Sequence, residues 1–251
     1  MTNRQETLTT DPAIQVRRAE DRFHSRIGWL DSRHSFSFSN HYDPANTHHG
    51  LLLVNNDDIV APHSGFQTHP HRDMEIVTWV LEGELEHKDS EGNKGLLFPG
   101  LAQRMSAGTG IWHSEMNPRG DKPVHFIQMW VPPDTERLTP GYEQLDINGE
   151  LNKGGLVPIA SGRGHRAAIS IRQKGAALWG GRLKAGEAVQ LPDARYVHVF
   201  VAKGSAELEG AGALKTGDAV RLTAAGARAL TAGIPDGAEI LIWETDTEGS
   251  L

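Results

Sequence analysis

Two short segments of this chain carry metal-binding side chains at one spacing. His69 and His71 flank Pro70 in "GFQTHPHRDME", residues 65–75, while His113 and Glu115 flank Ser114 in "SAGTGIWHSEMNP", residues 106–118. Imidazole nitrogens are good ligands for Zn, Cu, Fe and Ni. On an extended chain, residues i and i+2 project from the same face, so each segment aims two donors at one spot. Pro70 bars a helix through the first segment and holds the residue before it in extended geometry. Gly108 and Gly110 suit a tight turn that delivers the second segment. Trp112 and Ser114 then point the other way. Brought side by side, the two strands offer three imidazoles and one carboxylate. Such a set leaves one or two positions open on a five- or six-coordinate metal, as catalytic sites do and closed structural sites do not. It suits Fe(II) best, with Ni, Cu, Co, Mn or Zn as alternatives.

The elements that must position these residues are strands. The chain's 28 glycines and 13 prolines punctuate short apolar runs such as "EIVTWVLEG", "HFIQMWV", "YVHVFVAKG" and "EILIWE". Short β-favouring runs between turn residues predict an all-β sandwich or barrel, with helix a minor component. A degenerate repeat is visible as well. "WVLEGELE" resembles "FVAKGSAELE", pairing Gly83 with Gly204, and "LFPGLAQRMSAG" resembles "LKTGDAVRLTAA", pairing Gly100 with Gly217. The longer hairpin loop "HKDSEGNKG" absorbs the difference between the two spacings. Carried across, His69 and His71 fall on Gln190 and Pro192, and His113 and Glu115 fall on Leu230 and Ala232. Eleven of the 13 histidines lie between residues 24 and 125, so a metal site belongs to the first half alone. The expectation is two tandem β-barrels, residues 15–145 and 155–245, joined through the Pro-rich passage "VPPDTERLTPGYEQ".

Composition narrows the function classes. The 251 residues suffice for one large domain or two modest ones, and a net charge of -7 argues against a binder of nucleic-acid phosphates. With no cysteine, disulfides, thiolate catalysis and zinc-thiolate sites are excluded. The opening "MTNRQETLTTDP" is polar, without the apolar core of a secretory signal, and no apolar run reaches the ~18 residues of a membrane helix. A cytoplasmic protein with no membrane contact is expected.

The segments "GFQTHPHRDMEIVTWVLEGELEHKDSEGN", "QRMSAGTGIWHSEMNP" and "GWLDSRHSFSFSNHYDP", with "YEQ" at 142–144, resemble the signature segments of the pirin family, within the cupin superfamily. The match is dense over residues 28–144 and weak beyond, where pirins carry a degenerate second cupin. It is nearest to bacterial pirins that resemble quercetin 2,3-dioxygenase. The resemblance implies a bicupin whose single metal is held by His69, His71, His113 and Glu115. It implies a metal-dependent dioxygenase that opens flavonols such as quercetin with O2 and releases carbon monoxide, with Glu115 as general base. Other phenolic or enolisable substrates fit the same chemistry. General cupins often use a Glu four positions after their second histidine, and Glu75 occupies that place. On a continuous strand Glu75 would share the face of His69 and His71, so its expected role is to orient a ligand or water behind Glu115. Eukaryotic pirins supply the alternative, an iron-dependent, redox-sensitive regulator acting by protein contact. The chain is expected to work as a monomer.

The remaining residues take plainer readings. A lone strand histidine is more often packed or solvated than a ligand, and His24, His34, His41, His48, His49, His63, His87 and His125 are read that way. Trp29, Phe36 and Phe38 read as core aromatics, and Asp73 as a hydrogen-bonded residue at a strand mouth. Gly108-Thr109-Gly110 has no strand-GxGxxG-helix context and is a turn.

Overall fold

The computed structural model describes residues 13–249, so the polar opening segment lies outside the described residues. The first half runs β1 (Ile14–Arg17), β2 (Phe23–Ile27), β3 (Leu30–His34), β4 (Val54–Val60), β5 (Gly65–His71), β6 (Glu75–Glu82), β7 (Leu85–Asp89), β8 (Lys94–Leu97), β9 (Leu101–Ser106), β10 (Ile111–Met116), β11 (Val124–Val131) and β12 (Gly141–Asp146). After one helical turn, α1 (Asn148–Leu151), the second half runs β13 (Val157–Ser161), β14 (Ile169–Ser170), β15 (Ala176–Leu183), β16 (Ala188–Gln190), β17 (Tyr196–Leu208), β18 (Gly212–Lys215), β19 (Ala219–Thr223), β20 (Ala229–Ala232) and β21 (Ala238–Thr245). The chain is two cupins, as the short β-favouring runs predict.

In the first cupin a seven-stranded sheet, ordered β12-β9-β6-β11-β4-β3-β2, faces a four-stranded sheet, β5-β10-β7-β8. Val60, Val80 and Phe126 from the larger sheet pack with Leu85 and Leu97 from the smaller. β6, in the middle of the larger sheet, is buried on both faces, which explains why "EIVTWVLE" is apolar at neighbouring positions instead of alternating. Val77, Trp79 and Leu81 on β6, with Ile127, Met129 and Val131 on β11, turn outward into a core shared with Leu178, Phe200, Leu241 and Trp243 of the second cupin. The residues between them, Thr78 on β6 and Gln128 and Trp130 on β11, therefore turn inward. Trp79 Nε1 donates to Glu239 Oε1 at 2.8 Å, tying the two cupins by a polar contact within that interface.

The repeat has a backbone basis. Gly83 and Gly204 have φ of 80° and 75°, and Gly100 and Gly217 have 88° and 85°, so both pairs occupy the left-handed region that glycine adopts at least cost. The halves are not separate in pairing, however. β1 at the N-terminus pairs antiparallel with β19, and Ile14 joins the core of the second cupin.

Candidate metal centre

β5 is an edge strand of the four-stranded sheet, where a proline removes no needed donor, and this is how Pro70 is tolerated. It pairs antiparallel with β10 so that His69 sits directly opposite His113, and Ile111 opposite His71. The cross-strand and same-face neighbours converge. Ring centroids are 4.4 Å apart for His69 and His113, and 4.9 Å apart for His71 and each of the other two. One ligand nitrogen from each histidine lies within 4.8 Å of the others, a group that could hold a metal ion.

The donor set fits a cation. The Nε2 atoms of His71 and His113 are buried without any hydrogen-bond partner, a costly arrangement for neutral imidazoles that a bound metal removes. His69 Nδ1 lies 2.7 Å from the Gln67 carbonyl, so that nitrogen carries the proton and Nε2 keeps its lone pair. Burial, with His113 and His69 alongside, lowers the His71 pKa to about 4. Burial, with His69 and His87 alongside, lowers that of His113 to about 3. Both rings are thus neutral near pH 7, as ligation requires. Trp112 on the opposite face of β10 is 54% exposed, so the alternation predicted for this strand holds.

Glu115 stands two residues on, past a register shift in β10 that leaves it opposite Phe66 on β5 and His87 on β7. Its carboxylate is buried and lies outside the three-nitrogen cluster. Gln128 Nε2 donates to Oε2 at 2.6 Å, and Thr78 Oγ1 approaches Oε1 at 3.4 Å. Trp130 Nε1 donates to Gln128 Oε1 at 3.1 Å, which fixes the amide so that its NH2 faces the carboxylate. The edge of Trp130 also packs against His71, centroid to centroid 4.9 Å. A further buried carboxyl, Asp58, is pushed up to about 7 by burial, with Asp57 and Glu115 adding to the effect and its Ser32 hydrogen bond opposing it.

Glu75 does not face the histidines. The continuous-strand alternation breaks at Asp73, whose φ is 46° and whose Oδ1 accepts from the Arg137 backbone at 2.6 Å. The count restarts at β6, placing Glu75 on the outward face with Val77 and Trp79. Its carboxylate accepts from Ser106 Oγ at 2.8 Å and from the Arg172 backbone N–H at 3.1 Å, across the boundary with the second cupin. The expectation that it orients a ligand or water at the site is corrected accordingly.

His87 is packed and is no member of the histidine group, in keeping with its plain reading, but it packs against that group. It is buried, its Nδ1 lies 3.4 Å from His113 Nδ1, and its Nε2 lies 3.2 Å from Asp89 Oδ2. His87 and Asp89 repeat the i, i+2 spacing of the two metal segments, the signal that could have singled them out. Gln128 and Trp130 gave no such signal, because their inward direction depends on the burial of both faces of β11.

In the second cupin the places of His113 and Glu115 are filled by Leu230 and Ala232, both buried in its apolar core. That barrel is packed where the first is polar.

Sequence comparisons agree with this division. The pirin profile matches residues 15–131, and that of the quercetinase C-terminal cupin domain matches residues 158–244. A Mycobacterium tuberculosis protein, named as a candidate quercetin 2,3-dioxygenase, is 60% identical over 92% of this chain and 94% of its own. The chain belongs to the pirin family. The quercetin 2,3-dioxygenase of Escherichia coli K12 is 49% identical over 56% of this pirin and 61% of its own length. Among solved structures, the E. coli pirin YhhW in complex with nickel(II) aligns with a TM-score of 0.84 and 35% identity, covering 94% of this chain and 100% of that one. Among the described residues, no helix is long and apolar enough to cross a membrane.

Proposed function

We propose that this pirin is a metal-dependent dioxygenase of the quercetinase type, opening flavonols such as quercetin with O2 and releasing carbon monoxide. The observation that carries the reading is the convergence of three imidazoles, two with orphaned Nε2 atoms, beside a buried carboxylate. His69, His71 and His113 would hold a divalent transition metal, with Glu115 as the fourth ligand. Fe(II) suits the mixed nitrogen and oxygen set, and nickel is the ion held by the related YhhW. The bound metal supplies Lewis acidity, which lowers the pKa of a hydroxyl brought to it.

The protein's own part is to receive that proton. Oε2 of Glu115 is held by Gln128, while Oε1 has only the long Thr78 contact and is the oxygen free to accept the 3-hydroxyl proton of a flavonol. Trp130 keeps Gln128 in the donating orientation, so the carboxylate is aimed before substrate arrives. An apolar cavity of about 370 Å3 adjoins the site through Trp130 and Met74, with Phe38 and Tyr42 among its walls, and suits a flat aromatic ligand. A larger cavity of about 610 Å3, around α1, includes neither Trp130 nor any other residue of the site and has no part in this reading. The enzyme would act as a cytoplasmic monomer, without contact to nucleic acid. Incubating metal-loaded protein with quercetin under air, and following its absorbance, tests the reading: consumption is expected, and its absence refutes it.

A further inference from the structure

We propose that His87 and Asp89 are positioning residues that set the tautomer of His113 and so make its Nε2 available to a metal. The inference rests on the reading of His113 as a ligand, and it concerns a pair that does not itself touch the metal. Asp89 is the anchor. Its Oδ1 accepts from the backbone N–H groups of Glu91 at 3.0 Å and Asn93 at 2.9 Å, and the Asn93 side-chain amide reaches both oxygens at 3.1 and 3.0 Å. A carboxylate so surrounded by donors is an acceptor only.

The remaining contact of Asp89 therefore decides the proton on its neighbour. Nε2 of His87, 3.2 Å from Asp89 Oδ2, faces only an acceptor and so carries a hydrogen, and a ring with its one hydrogen there has a lone pair on Nδ1. That lone pair faces His113 Nδ1 at 3.4 Å. Two ring nitrogens can share a hydrogen bond only if one holds the proton, so His113 must donate from Nδ1. Its Nε2, buried without a partner and pointed into the histidine cluster, is left as the lone-pair donor. Tyr142 stacks on the His87 ring at 4.9 Å and 28°, which resists rotation of the imidazole. At the Gly83–Gly204 spacing, His87 falls on Leu208, which is buried in the apolar core of the second cupin. The half without ligands also lacks the device that would orient them.

The test reads the tautomer directly. Long-range 1H–15N spectra of the metal-free protein should place the His113 proton on Nδ1 and the His87 proton on Nε2. Asp89→Asn turns an amide donor toward His87, which reverses both rings and moves the His113 proton to Nε2. Nickel affinity, measured by calorimetry, should then fall ~10–100-fold while the thermal midpoint of the metal-free protein shifts little. His87→Gln, which keeps an acceptor toward His113, should retain more affinity than His87→Leu. A wild-type His113 protonated on Nε2 would overturn the proposal even if Asp89→Asn failed to fold. Wild-type affinity in Asp89→Asn would overturn it as well. Nickel titration of the wild type checks the ligand set separately: tight binding with the wrong tautomer sinks this inference alone, and no binding sinks both.

Discussion

Gln128 Nε2 donates to Glu115 Oε2 at 2.6 Å, and the Trp130 indole holds that amide in place from behind. The carboxylate is thus oriented by a chain of two side chains on β11, and it is buried on the strand that carries His113. Glu115→Gln removes the proton acceptor yet leaves an amide oxygen that coordinates weakly. Some metal should remain, and turnover should fall ~10²–10⁴-fold. Metal analysis and quercetin consumption on the same sample check this, and near-normal turnover would remove Glu115 from its role as base.

His71→Ala deletes one of three nitrogen donors and should cost most of the bound metal. His198→Ala, in the second cupin, should leave metal content at one ion per chain although His198 is buried. Elemental analysis separates the two. Full occupancy in both variants would void the ligand assignment.

Glu75→Gln should leave nickel affinity unchanged, because its partners are Ser106 and the Arg172 backbone and not a histidine. Its effect belongs to the boundary between the cupins, where Trp79→Ala should also act, at a cost of about 3–5 kcal/mol. Denaturant unfolding checks both. Loss of nickel affinity in Glu75→Gln would return it to the metal site.

Asp58 gives the protein a pH dependence of definite sign. Its folded pKa, about 7, lies above the ordinary 3.8, so the folded state holds a proton that the unfolded state has released. Stability from this group is present below about pH 4 and is lost as pH rises toward 7. Asp58→Asn keeps the acceptor for Ser32 and removes the titration. Relative to wild type it should gain on the order of 4 kcal/mol at pH 8, with the gain vanishing near pH 4. Equal slopes of stability against pH in the two proteins would contradict the assignment.

The parts of this site legible in the sequence are those fixed by local alternation. His69 with His71, and His113 with Glu115, share faces because each pair lies on one strand, and the glycine pairs of the repeat reveal two cupins because left-handed turns demand glycine. What alternation cannot carry is a break in the strand. Asp73 turns the chain between His71 and Glu75, and this moves Glu75 to the other face. Nor can it show which strands become neighbours: His87 reads as one histidine among many until β7 is laid beside β10. β1 is invisible as a part of the second cupin for the same reason.

Carbon monoxide in the headspace over metal-loaded protein, quercetin and air is the most direct measurement of the central claim. Release in step with quercetin consumption, abolished by His71→Ala and strongly reduced by Glu115→Gln, is the predicted result. A metal-replete wild type that released none would contradict the dioxygenase account.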